Sequence, residues 1–211
     1  MQIITNRGAS ALALAAVLAL AACKPAEKQA EAPTTDTAAD ALASATAVGA
    51  EWLTYGGTYD EQRHSGLTKV APENVSQLGV AWTYDLNSNR GIETTPIVKD
   101  GVMYATSSWS VLHAIDAKTG KELWVYDPGA DKAVGVDACC DVVNRGAALY
   151  KDLVIFGTLD AQLVALDKES GRPVWREKIA DYKEGYSYTA APLIVDGLVV
   201  TDASLTAPRS G

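Results

Sequence analysis

Two adjacent cysteines, Cys139 and Cys140, stand in a chain of 211 residues that holds only three, and Arg145 follows them closely. If the two thiols oxidise to each other they close a small ring with an abnormal peptide geometry. Neighbouring Cα atoms lie about 3.8 Å apart, against a usual disulfide separation of about 5.5 Å. Such a bond closes no loop and so stabilises little. A strained feature without structural return belongs with functional sites. The ring would be a rigid, polarisable, apolar plate, suited to stacking against a flat conjugated ligand. Arg145 adds a planar donor fork suited to carboxylates. The alternative leaves both thiols reduced, packed as small hydrophobes.

What would position these residues is a repeat. Thr95 to Ala105 reads as strand, tight turn, strand, with Asp100-Gly101 at the turn. Ala147 to Phe156 and Ala191 to Val200 are further copies, the last with Asp196-Gly197. Asp-Gly between short β-branched runs is a strong hairpin signal. Two of the hairpins continue into the pattern A-x-D-x-x-[TS]-G-x-x-x-W, at Ala114–Trp124 and Ala165–Trp175. Those tryptophans stand 51 residues apart, and Trp82 precedes Trp124 by 42. A four-stranded unit recurring at roughly 40 to 50 residues is the signature of a β-propeller. The segment Gly79 to Tyr84, ahead of the first hairpin, also reads as a strand.

The run from Cys139 to Trp175, and more broadly from about Glu51 to about Val200, resembles the quinoprotein alcohol dehydrogenases, which use pyrroloquinoline quinone (PQQ). The A-x-D-x-x-[TS]-G-x-x-x-W form resembles the tryptophan-docking repeat of their eight-bladed propellers. The resemblance implies an all-β fold, the N-terminal portion of an eight-bladed β-propeller, incomplete in this chain. It implies that Trp124 and Trp175 pack between neighbouring blades, in structural roles. It implies a Cys139–Cys140 disulfide stacked on one face of the quinone and a carboxylate-binding Arg145. By the same resemblance Glu93 lies beside the cofactor, and Thr189 contacts a cofactor carboxylate. The family's metal, Ca²⁺ or in some branches a lanthanide, polarises the quinone carbonyl, and a downstream aspartate acts as general base. No residue of this chain matches those ligands or that base, so their places are expected in a missing C-terminal part. The family's electron acceptor is a c-type cytochrome. No Cys-x-x-Cys-His occurs for a covalent haem.

Apolar content of 48% with 21% charged residues fits an ordinary globular chain. A net charge of −8 without a basic stripe excludes a nucleic-acid partner. Residues 1–22 read as a signal peptide: Arg7 is the only charge, and the apolar run from Ala11 to Ala22 is shorter than the about 20 residues of a spanning helix. Leu20-Ala21-Ala22-Cys23 resembles a bacterial lipobox, which implies lipidation of Cys23 and attachment to a membrane; ordinary cleavage near Ala21 is the alternative. Residues 23–50, rich in Ala, Thr and acidic residues with no aromatic, read as a disordered tether. Residues 51–211 then form the partial propeller. His64 and His113 have no metal-ligand spacing and read as packing or hydrogen-bonding residues.

The expected activity is that of the N-terminal part of a periplasmic PQQ-dependent dehydrogenase acting on small primary alcohols. The alternative is a non-enzymatic propeller lipoprotein of the outer-membrane β-barrel assembly machinery. A quinone plate has no use in such a scaffold. A PQQ sugar dehydrogenase is disfavoured by the same cysteine pair, which is typical of the alcohol branch. Two full units and part of a third leave the sheet ring open, so the chain is expected to be a fragment, inactive alone.

Overall fold

A computed structural model describes residues 51–138 and 140–205. The signal, lipobox and tether expectations at residues 1–50 lie outside the described residues, as does Cys139. Two four-stranded antiparallel meanders follow each other in the chain. The first is β1 (Ile97–Lys99), β2 (Val102–Thr106), β3 (Leu112–Asp116) and β4 (Glu122–Tyr126). A long connection holding a short helix, α1 (Val134–Asp137), leads to the second. That comprises β5 (Ala148–Tyr150), β6 (Leu153–Thr158), β7 (Gln162–Asp167) and β8 (Pro173–Lys178). Next come β9 (Tyr186–Ser187), the hairpin β10 (Leu193–Val195) and β11 (Leu198–Val200), and β12 (Ser204–Leu205), which pairs back with β9. Among the described residues the fold is all-β apart from short helical turns, as the repeat predicts.

The hairpin turns explain why the copies fold alike. Asp100 and Gly101 adopt φ of 51° and 78°, and Asp196 and Gly197 adopt 49° and 75°. Positive φ at both central residues is the turn whose twist matches its flanking strands. Side-chain parity then builds the core. In β6 and β7, Val154, Phe156, Val164 and Leu166 pack with Ile97, Tyr104, Leu112 and Ala114 of the first unit. The alternate residues Ile155, Leu163 and Ala165 pack with Tyr188 and Ile194 of the third. The second unit is thus buried on both faces, while the outer strands β4 and β8 stay mostly exposed.

Trp82 and Trp124 each dock onto the turn of the following unit. Trp82 Nε1 donates to the Ala117 carbonyl at 3.2 Å, and Trp124 Nε1 to the Lys168 carbonyl at 3.1 Å. Gly120 and Gly171 sit beneath these rings at φ of 72° and 69°; a Cβ at either would come within 2.6 Å of the indole. The turns are tied by their aspartates. Asp116 Oδ1 accepts from the Thr119 N–H at 2.7 Å, and Asp167 Oδ1 from the Ser170 N–H at 2.8 Å. Both units slip register at the same place, between Ala114 and Ile115 and between Ala165 and Leu166. There each small alanine lies opposite its own tryptophan, Trp124 or Trp175.

The strand expected over Gly79–Tyr84 is not one. The segment joins no sheet, because a strand requires a neighbour to take its backbone groups. Side chains hold it instead: Trp82 on the Ala117 carbonyl, and Tyr84 on Glu122 at 2.6 Å and His113 at 3.1 Å.

Candidate functional site

The site is built where the chain enters the innermost strand of each unit. Glu93 and Thr189 stand the same number of positions ahead of the turn residues Asp100 and Asp196, and Arg145 stands one place nearer the turn at Lys151. Stacking of the units brings the three together. Arg145 Nη2 forms an ion pair with Glu93 Oε2 at 2.8 Å, and Nη1 donates to Thr189 Oγ1 at 2.8 Å. The backbone repeats the union: the Arg145 N–H donates to the Thr189 carbonyl at 2.9 Å, and the Thr95 N–H to the Arg145 carbonyl at 3.1 Å.

Asn144, 1% exposed, fixes the guanidinium's base. Its Nδ2 donates to the Gly157 carbonyl at 2.8 Å and Ser110 Oγ at 3.1 Å, and its Oδ1 accepts the Gly146 N–H at 3.0 Å. Gly146 adopts a φ of 131°, and a Cβ there would stand 3.1 Å from the Thr95 carbonyl oxygen. Only glycine allows that approach. Thr189 is seated by its neighbour. Tyr188, fully buried, lies across Gly157, where any Cβ would enter its ring. Burial pushes the Tyr188 phenol well above its ordinary value, which keeps it neutral.

The chemistry of this cluster is that of an anion clamp. Glu93 and Thr189 engage two of the five N–H donors of a guanidinium. The Arg145 side chain is 41% exposed and that of Glu93 45%, so the fork is open to solvent. A planar, open, oriented fork suits the carboxylates of a flat ligand. The donor set therefore fits PQQ.

The cysteine segment approaches from α1. The Ala138 N–H closes the helix on the Val134 carbonyl at 2.9 Å. Val134, Val142 and Leu159, with Trp109 and Tyr182, form a small apolar floor beside it. Cys140 is exposed, and the pairing expected with Cys139 falls on a residue outside the described ones. Asp141 adopts a φ of 64° and holds Arg90 through a forked contact. The hydrogen bonds from Arg90, and to a lesser degree its charge, hold the Asp141 carboxyl below its ordinary value.

His113 bonds to residues other than those of the clamp. It is buried, with Nε2 3.0 Å from Ser107 Oγ and Nδ1 3.1 Å from Tyr84 Oη. Among the described residues no group of three or more His, Cys, Asp or Glu side chains could hold a metal ion. The sequence reading missed Asn144, Arg90 and Asp141 as parts of the site. Asn144 and Asp141 lie within the Cys-Cys to Arg145 run, but the partners that tie them to other segments are 13 to 51 residues away. No local spacing could have named them.

Comparison with known proteins gives the chain a family. Residues 52–210 match the family described as PQQ, glucose/ethanol/alcohol dehydrogenase, β-propeller domain. The 1-butanol dehydrogenase (cytochrome c) of Thauera butanivorans is 49% identical over 157 residues, which are 73% of this chain and 22% of that protein. The crystal structure of the quinohemoprotein alcohol dehydrogenase from Comamonas testosteroni superimposes with a TM-score of 0.74 at 42% identity, covering 79% of this chain and 25% of that one. A europium-containing methanol dehydrogenase does so with a TM-score of 0.70 at 35% identity, over 74% of this chain and 27% of that one. The chain spans about a fifth of the length of the curated relatives it matches. It belongs to the β-propeller domain family of the PQQ-dependent glucose, ethanol and alcohol dehydrogenases.

Proposed function

We propose that this chain supplies the first blades of a PQQ-dependent dehydrogenase that oxidises primary alcohols to aldehydes and passes the electrons to a c-type cytochrome. The observation that carries the reading is the convergence of Glu93, Arg145 and Thr189 from three successive units on one open guanidinium fork. Arg145 and Thr189 hold cofactor carboxylates. Glu93 fixes the plane of the guanidinium and balances its charge. Cys139 and Cys140, joined as a disulfide, form the plate against one face of the ring. When bound, the quinone supplies an acceptor for the two electrons and two protons that an alcohol loses in becoming an aldehyde. The ligands for a Ca²⁺ or lanthanide ion and the general base would be supplied by parts of the protein beyond this chain. Family membership supports this reading over the scaffold lipoprotein, and the name of the Thauera relative supports cytochrome c as the acceptor.

The test is reconstitution of the full-length apo-protein with PQQ and Ca²⁺, followed by 1-butanol-dependent reduction of cytochrome c. Turnover that requires the quinone is expected. A protein that takes up no PQQ, judged by absorbance titration, sinks the reading. We further propose export to the periplasm with a lipid anchor on Cys23, from the lipobox-like Leu20-Ala21-Ala22-Cys23. Fatty-acid labelling lost in Cys23→Ser is the expected result, and an unlabelled wild-type protein contradicts it.

A further inference from the structure

The segments that carry Glu93 and Arg145 are tied together a second time, away from the clamp. Asp141 directly follows Cys140, and Arg90 stands three places before Glu93. Arg90 Nε donates to Asp141 Oδ2 at 3.2 Å, and Nη2 pairs with Oδ1. The Gly91 N–H adds a third, longer contact to Oδ2 at 3.4 Å. Between the two ties the arms nearly touch. A Cβ on Gly91 would stand 3.3 Å from Val143 Cγ1 and 3.7 Å from Asp141 Oδ2. The loop between β2 and β3 closes the circuit. Ser108 Oγ bonds Ser88 Oγ at 2.7 Å and donates to the Gly91 carbonyl at 3.3 Å, while the Trp109 N–H donates to the Val142 carbonyl at 2.9 Å.

An ion pair this exposed, 47% and 35% for the two side chains, adds little to stability. Its geometry serves something else. The fork is two-pronged, which fixes orientation as well as distance. It also grips a residue in the left-handed backbone region, where the chain changes direction. That residue is the one that aims the chain leaving Cys140.

We propose that Arg90 and Asp141 are positioning residues, which set the register of the Cys140–Arg145 arm against the Glu93 arm. Cys140 is thereby held at a fixed place relative to the Arg145 fork. The purpose of that register rests on the proposed function, since it is PQQ that would meet both the plate and the fork.

The experiment uses full-length apo-protein with Arg90→Gln, Asp141→Asn and the double variant, and reads two quantities. Amide hydrogen exchange reports the two arms without any ligand, and absorbance titration reports PQQ affinity. Each single substitution is expected to speed exchange over residues 90–95 and 140–145 and leave β2, β3, β6 and β7 as protected as before. PQQ affinity should fall about tenfold, the lower end of what is lost when a group orienting a ligating side chain is removed. The double variant should be no worse than either single one, because both remove the same tie. Unchanged exchange, exchange that rises with PQQ affinity unchanged, or a double loss equal to the sum of the single losses overturns the positioning role. Wild-type protein that takes up no PQQ overturns the proposed function instead, and exchange in the arms then judges the tie by itself.

Discussion

His113 shows how surroundings settle what a reactive side chain is for. It is 3% exposed, between Ser107 and Tyr84, with the Tyr84 ring edge-on at 5.6 Å. Burial lowers its pKa from the ordinary 6.5, and the nearby Glu122 carboxylate only partly opposes this. The unfolded chain therefore takes up the proton first as pH falls. The contribution is fully present above pH 6.5 and is lost as pH drops toward the lowered value. Stability of the full-length protein, followed by chemical denaturation, should decline below pH 6.5, and His113→Asn should flatten that decline. A decline of the same size in the variant would mean that other groups cause it. The sequence already spoke against a metal role for His113, because no ligand spacing surrounds it. Its bonds to Ser107 and Tyr84 required the fold.

At the scale of elements, the tryptophan-to-turn dock is the joint between units. Trp124 contributes a ring against Gly171 and a hydrogen bond to the Lys168 carbonyl. Removing the bond and keeping the ring, as in Trp124→Phe, should cost about 1 kcal/mol. Removing both, as in Trp124→Ala, should cost about 3 kcal/mol. Urea denaturation distinguishes them, and equal losses would show that the hydrogen bond alone makes the joint. The repeat that carries this dock was legible in the sequence, and the resemblance to the quinoproteins implied that its tryptophans pack between units; the tasks of its other residues required the fold. Asp116 ties its turn, Gly120 clears room for Trp82, and Ala114 lies opposite Trp124. Gly79–Tyr84 was misread because alternation marks a segment that can pair, and pairing depends on a neighbour that local sequence does not reveal. The β9–β12 pairing escaped for a similar reason: two residues a side carry no periodicity.

At the scale of the whole molecule, packing turns a repeat into a site. Alternate residues of β6 and β7 face the first and third units, so the three strand entrances are drawn side by side. Glu93, Arg145 and Thr189 meet there although 96 residues separate the first from the last. Nothing in their own spacing announced this; the resemblance to the quinoproteins singled them out. Arg90 and Asp141, 51 residues apart, had neither signal.

The direct test of the account is a structure of the full-length protein with PQQ bound. The quinone should lie against Cys139 and Cys140, with a carboxylate about 3 Å from the Arg145 guanidinium and the Thr189 hydroxyl, an ordinary hydrogen-bond distance. The Glu93–Arg145 pair should remain in place. A quinone bound elsewhere on the propeller, or an Arg145 fork that contacts only Glu93 and Thr189, would contradict it.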